Sequence, residues 1–209
     1  TYVRHAYNNH LSNADTYQSL TPHEANTGIN DLTDLLSCFI SHHSDELGAE
    51  ARKFLKTSMV EVTGPSPHFY LTFKIHKTPL KTRPIVLVSG SLLHALRRWL
   101  DTQLQPLVRE LPSFIASSWE LKNHLEKLPP LPAHARLFTC DAVSMYTSID
   151  TNHALEVIAD FLRTNPMALG LPAEAIIDGL ELIMRWNIFR FGDTFWKQLT
   201  GTAMGTPPA

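Results

Sequence analysis

Asp141 and Tyr146 stand five residues apart in the run Leu137-Phe138-Thr139-Cys140-Asp141-Ala142-Val143-Ser144-Met145-Tyr146-Thr147-Ser148-Ile149, so one carboxylate and one phenol follow an apolar stretch. Residues 137–140 read as a buried strand, because apolar and β-branched residues follow a Pro-rich break and lead into a helix-like segment. An ionised Asp leaving such a strand sits at the edge of a core, where a metal ion or a cluster of hydrogen bonds must offset its charge. The other reading is a local turn or cap carboxylate, and the residue alone does not choose. A second chemistry-bearing group lies upstream. Lys74, His76, Lys77, Lys81 and Arg83 fall within ten residues that contain no acid, and Arg97-Arg98 follow. Such a run is either a solvated surface or an anion site.

The elements expected to carry these residues follow from pattern. Phe69 to Lys77 is β-rich, Thr78-Pro79-Leu80-Lys81-Thr82 is a turn, and Arg83-Pro84-Ile85-Val86-Leu87-Val88 is a second strand, with Pro84 near its start where a missing amide does least harm. That hairpin carries Lys74 and Arg83 on its two arms, where they either solubilise it or face one anion, Arg with two parallel hydrogen bonds. Ser89-Gly90-Ser91 is expected to cap a helix whose buried stripe is Leu92, Leu96, Trp99, Leu100, Leu104 and Leu107. Arg97, Arg98 and Asp101 then lie largely outside that stripe, and Pro106 implies a kink or stop. The Ser117-x-x-Glu120 spacing predicts a capping box for a helix through Leu121, Leu125 and Leu128, ended by Pro129-Pro130-Leu131-Pro132, the best internal boundary in the chain.

Asp150 is the expected N-cap of a helix over 151–163 with Leu155, Ile158, Ala159 and Leu162 inward. Another helix starts near Leu171, with Pro172 at its first position and a stripe of Ile176, Leu180, Ile183 and Trp186. Asn187 to Gln198 reads as a tight hairpin around Gly192-Asp193. Gly201 and Gly205 then let the backbone approach another surface closely. At the other end, residues 1–27 read as an irregular or partly helical lead-in. Two helices follow, the first on Ile29, Leu32, Leu35, Leu36 and Phe39. In the second, Ser44 is the N-cap before Asp45-Glu46, and Leu47, Ala51, Phe54 and Leu55 point inward, before the break at Gly64-Pro65-Ser66-Pro67.

With 209 residues and 44% hydrophobic content the chain can bury one large core or two small ones. No run approaches the ~18 uninterrupted apolar residues of a membrane span, and Thr1-Tyr2-Val3-Arg4-His5 holds no signal-peptide core, so a membrane or secreted protein has no support. The start without Met and the closing Gly/Pro stretch suggest a fragment of a longer polypeptide. Cys38 and Cys140 lack metal-ligand spacing and are expected to be buried thiols in a reducing compartment. The eleven histidines are scattered and read as incidental, with His42 and His43 on different sides of a helix. A net charge of −2 argues against a wholly basic nucleic-acid binder and leaves charge distribution to carry the case.

Three blocks in order, residues 74–77 with 81–86, residues 141–149, and Gln198-Leu199-Thr200-Gly201-Thr202-Ala203-Met204-Gly205-Thr206-Pro207, resemble a reverse transcriptase of the Penelope-like retroelement group, related to telomerase and group II intron enzymes. Ala203-Met204 stands where those relatives usually have Pro-Gln, which fits the Penelope-like pattern. The resemblance covers roughly residues 69–209. It implies an α+β right-hand polymerase fragment, with antiparallel palm strands packed on helices. Residues 1–64 would be an N-terminal helical extension, 65–132 fingers with a β-hairpin and helices, and 133–209 a partial palm ending in the Gly-rich loop.

The implied activity is RNA-directed DNA polymerisation, a two-metal transfer of a nucleotide to a primer 3′-hydroxyl. Asp141 would hold both Mg²⁺ ions with the backbone carbonyl of Ala142. Tyr146 would pack under the incoming sugar and exclude a 2′-hydroxyl, with Ala142, Ser144 and Met145 also against the nucleotide. Lys74, or Lys77 from the same arm, and Arg83 would neutralise the triphosphate. Gln198, Gly201 and Gly205 would lie beside template and primer. The implied partners are an RNA template, a DNA primer and deoxynucleoside triphosphates, in an intracellular and, for a eukaryotic element, nuclear setting. The family's paired carboxylates do not follow Gly205 here, so the fragment alone is expected to be inactive. A non-catalytic descendant that keeps the fold to bind nucleic acid or protein is the alternative. A phosphate-loop enzyme is disfavoured, because Gly-x-x-x-x-Gly-Lys-Ser/Thr is missing.

Overall fold

A computed structural model describes residues 7, 10–64 and 66–205. The expectations on Thr1 to His5, Pro65, Thr206 and Pro207 lie outside the described residues. The chain is α+β, with one mixed sheet and seven α-helices among the described residues.

The sheet strands are β1 (Tyr17–Leu20), β2 (His68–Lys74), β3 (Lys81–Leu87), β4 (Ile188–Phe191) and β5 (Thr194–Gln198), in the order β1-β5-β4-β2-β3. Both expected hairpins form. In the first, Phe69 lies opposite Val86 and Thr72 opposite Arg83; in the second, Ile188 lies opposite Lys197. They join through a single parallel rung, His68 to Arg190, where the Arg190 N–H donates to the Pro67 carbonyl at 2.8 Å. β1 is a finding against the expected irregular or partly helical lead-in, which is helical from Pro22 but holds a strand before it: Tyr17 to Leu20 pairs antiparallel with Gln198 to Phe195. Its four residues hold no alternation that a sequence reading could use, and only the partner strand orders them.

The helices are α1 (Pro22–His42), α2 (Ser44–Val60), α3 (His94–Glu110), α4 (Ser118–Glu126), α5 (Met145–Ser148), α6 (Thr151–Thr164) and α7 (Ala173–Arg185). α1 begins earlier than periodicity suggests because Thr21 and Glu24 form a complete capping box with Pro22 at the first position. Leu32, Leu36, Phe39 and Ile40 of α1 share one core with Leu55 of α2, Leu96, Trp99 and Leu100 of α3, and Ile176, Leu180 and Ile183 of α7. Tyr17, Phe69, Val86, Phe189 and Ala203 form a second cluster on the sheet, where Phe69 and Phe189 stack at 5.3 Å. No helix among the described residues is long and apolar enough to cross a membrane.

Several local expectations need correction. His43, not Ser44, occupies the N-cap position of α2, and it makes no side-chain cap there. Leu93 rather than Ser89-Gly90-Ser91 precedes α3, because the Ser91 hydroxyl is bonded to the Val88 carbonyl. Pro106 does not stop α3, which continues to Glu110, and Pro172 is the N-cap of α7 rather than its first residue. Phe54 is exposed. The Ser117 box is half formed: Ser117 accepts from the Glu120 N–H, but the Glu120 carboxylate takes the N–H of Ala116 instead.

The largest correction concerns residues 137–140, which form no strand and are fully exposed, Phe138 at 88%. A strand needs a hydrogen-bonded neighbour, and none of the five strands runs beside this segment. No residue from Val108 to Asp150 is buried. Both cysteines are exposed, Cys140 in this segment and Cys38 on the outer face of α1.

Two polar side chains read as exterior or incidental are instead central to the helical core. Arg97 is 1% exposed, its Nη2 donates to the Ile183 carbonyl at 3.3 Å, and burial pushes its guanidinium down to about 10, still charged at neutral pH. α3 packs on both α2 and α7, so a face polar in sequence is covered. His43, buried at the α1–α2 corner, bonds through Nδ1 to Glu46 at 3.0 Å and through Nε2 to Asp178 of α7 at 2.8 Å. Glu46 also accepts the Ala175 N–H, and Arg163 of α6 pairs with the neighbouring Glu174 at 2.7 Å. Burial opposes charging of His43, but the bonds to Glu46 and Asp178 outweigh it and hold its pKa above the ordinary value.

A folded pKa above the unfolded value means that the stabilisation from His43 is fully present below about pH 6.5 and fades as pH rises through the folded pKa. His43→Gln is expected to destabilise the protein by ~1–3 kcal/mol at acid pH and by less in alkali. Thermal melts of both proteins between about pH 5.5 and 9 test this; a gap in melting temperature that does not narrow with rising pH contradicts the charged cluster.

Candidate functional site

The ladder fixes the cations first. Arg83 lies opposite Thr72, and Lys74 opposite Lys81, so Lys74 and Arg83 are diagonal neighbours on one face of the hairpin. Two lysines directly opposite each other repel, so positive charge is concentrated at this end of the hairpin. Lys74, Thr82, Arg83 and Pro84 form one wall of a cleft of about 540 Å³. Lys77 lies beyond β2 in the turn, where its N–H donates to the Lys74 carbonyl, so of the two candidate lysines Lys74 is the one on the cleft wall.

Asp141, Ala142, Ser144, Met145, Tyr146 and Thr147 form the facing wall. The segment turns at Ser144, which adopts left-handed backbone (φ 51°), and the short helix α5 then presents Tyr146, half-buried. Asp141 is exposed and does not sit at the edge of a core as expected, so its carboxylate needs no compensating ion in the free protein.

Residues 198–205 lace the walls together. Gln198, 1% exposed, accepts from Asn187 Nδ2 at 2.9 Å and donates through Nε2 to the Thr200 carbonyl at 2.9 Å. Thr200 Oγ1 donates to the Ile149 carbonyl, the Gly201 N–H to Thr151 Oγ1, and the Thr202 N–H to the Tyr146 carbonyl at 2.8 Å. On the other side, the Val86 N–H donates to the Met204 carbonyl at 3.0 Å. The loop therefore touches both the hairpin and the Asp141 to Tyr146 segment. Gly201 (φ +79°) allows this, because a Cβ there would lie 2.1 Å from the Tyr146 carbonyl oxygen. At Gly205 (φ +91°) it would crowd Ile85 at 3.0 Å.

Of the residues singled out from sequence, Lys74, Arg83, Asp141, Ala142, Ser144, Met145, Tyr146 and Gln198 line this one cleft. Gly201 and Gly205 do not line it but hold the loop behind it, and both hydrogen-bonding ends of the Gln198 amide are engaged within the protein. The sequence reading missed the third wall, His10, Asn13, Thr16 and Tyr17 from the segment leading into β1. No local signal marks these residues, because their placement depends on the β1–β5 pairing. Tyr17 is buried, which pushes its phenol above the usual range.

The donor set decides what metal the cleft can hold. Asp141 and a backbone carbonyl are hard oxygen ligands of the kind Mg²⁺ takes. Among the described residues, however, no three His, Cys, Asp or Glu side chains come together to bind a metal ion. One carboxylate does not hold two divalent cations, so the described residues alone do not fit the two-ion site, and no step is derived through it.

The chain matches no protein-family model, no curated protein and no solved structure.

The Gly201 contact separates two costs. Gly170 shares the positive φ (+87°) but has open space around it. Gly170→Ala is therefore expected to cost roughly 1–2 kcal/mol for left-handed backbone alone. Gly201→Ala should cost a further ~2 kcal/mol, because the loop must leave the Tyr146 carbonyl. Denaturant titration of the two variants measures the difference, and equal losses would remove the close approach as a constraint.

Proposed function

We propose that this chain is the nucleotide-handling part of an RNA-directed DNA polymerase of the reverse-transcriptase type, with the fold of polymerase fingers and a partial palm. One observation carries the reading: the three sequence blocks that carry the resemblance, far apart in the chain, each contribute residues to a single cleft with Lys74 and Arg83 on one wall and Asp141 and Tyr146 on the other. In this reading Lys74 and Arg83 grip the triphosphate and offset charge on the departing pyrophosphate as the primer 3′-oxygen attacks. Tyr146 stacks under the sugar, and its bulk rejects a 2′-hydroxyl by contact rather than by hydrogen bonding. Asp141 contributes one of the carboxylates that Mg²⁺ requires. RNA template, DNA primer and a nuclear site of action for a eukaryotic retroelement belong to the same proposal.

A second reading is a non-catalytic descendant of such an enzyme, in which the cleft binds nucleotide or nucleic acid without chemistry. Both readings require anion binding by the hairpin, and they part at synthesis.

Deoxynucleoside triphosphate binding by the 209-residue chain is expected to weaken about tenfold in Arg83→Ala, and somewhat less in Lys74→Ala. Unchanged affinity in both variants would sink the assignment of the cationic wall. Tyr146→Ala should lose any preference for dTTP over UTP, whereas Tyr146→Phe keeps it; equal behaviour of the two variants counts against the sugar contact. With primed RNA template, Mg²⁺ and deoxynucleotides, the chain alone is expected to yield no product. Measurable extension would show that one carboxylate suffices.

A further inference from the structure

We infer that His10 is a proton-linked ligand of the phosphate end of the cleft, so that binding a polyphosphate draws a proton onto its ring. The inference rests on the nucleotide reading of the cleft and adds to it a residue from outside the three blocks. His10 Nε2 lies 2.8 Å from the Thr82 hydroxyl. Thr82 pairs with Phe73, on the rung between the one carrying Arg83 and the one carrying Lys74. Strand alternation turns the Thr82 side chain to the other face of the hairpin from Arg83 and Lys74, and His10, Lys74 and Arg83 nevertheless line the same cleft around its end.

His10 is half-buried, and that burial holds its pKa below the ordinary value, so the ring is neutral in the free protein at neutral pH. The other titratable groups around the cleft are Lys74 and Arg83 from the hairpin, Asp141 and Tyr146 from the facing wall, and Tyr17 from its own segment. Burial disfavours the imidazolium until an anion arrives. A polyphosphate reverses that balance and favours the imidazolium. The tether survives the change, because a threonine hydroxyl can donate to a neutral ring nitrogen or accept from a protonated one. Protonation leaves both ring nitrogens as donors, one for Thr82 and one for a phosphate oxygen.

The sign follows from linkage. A complex that binds more protons than its components tightens as pH falls, by at most about one decade per pH unit for a single group. Isothermal titration of the chain with dTTP and, separately, with inorganic tripolyphosphate between pH 6.5 and 8 measures affinity. Repeating it in buffers of different ionisation heat counts protons. The ligand's own titration is common to all variants, so the comparison with His10→Gln isolates the ring. Wild type is expected to take up more protons than His10→Gln, and to gain about fivefold more affinity over that range. His10→Lys, charged throughout, should hold its affinity at pH 8 without extra proton uptake.

Equal proton uptake by wild type and His10→Gln, with Arg83→Ala still weakening both probes, overturns the role of His10 and leaves the nucleotide reading standing. No binding of either probe by wild type at any pH removes the reading and the inference together. If His10→Gln fails to fold, the contrast between wild type and His10→Lys decides: matching proton counts overturn the inference.

Discussion

The cleft depends on one close approach, the backbone of Gly201 against the carbonyl of Tyr146. A side chain at Gly201 would meet that oxygen at 2.1 Å, and the adjoining Thr202 amide donates its bond to the same atom. Because no residue from Val108 to Asp150 is buried, the Asp141 segment has little apolar packing to hold it. Its position is set by hydrogen bonds to a loop whose other end is fixed to Val86 of the hairpin. The distance between the cationic wall and the carboxylate is thus transmitted through about eight residues of loop rather than through a core.

The parts of the fold legible in sequence are those decided within a few residues. The Gly192-Asp193 hairpin, the Asp150 cap of α6 and the stripe of α7 form where pattern places them. The β2–β3 hairpin likewise forms, and its register brings Lys74 and Arg83 to one face. What was not legible requires knowing the partner. β1 exists because β5 lies beside it, and residues 137–140 fail as a strand because nothing does. Thr21-Pro22-His23-Glu24 is the exception, a complete start signal available in the sequence and decisive in the structure.

Arg97 and His43 show the same limit for polar residues. Arg97 looks like surface in sequence and His43 looks incidental, and each is buried because a second helix covers it. Their burial is tolerable for different reasons. His43 has a carboxylate on each ring nitrogen, so its charge is matched locally. Arg97 spreads its charge over a planar group whose long stem packs in the helical core, and it reaches a helix carbonyl. Asn187 plays a comparable role nearer the cleft, where its amide fixes Gln198 beneath the glycine loop.

Four of the five strands form two hairpins joined by the single parallel rung between His68 and Arg190. A multi-rung ladder resists bending in every direction, whereas one rung behaves as a pin between two plates. The hairpin carrying Lys74 and Arg83 is held against β4 and β5 by that rung, by the Val86 to Met204 bond and by the packing of Phe69 and Val86 on Phe189. The angle between the two hairpins, and with it the width of the cleft, is therefore set by aromatic packing more than by backbone hydrogen bonds.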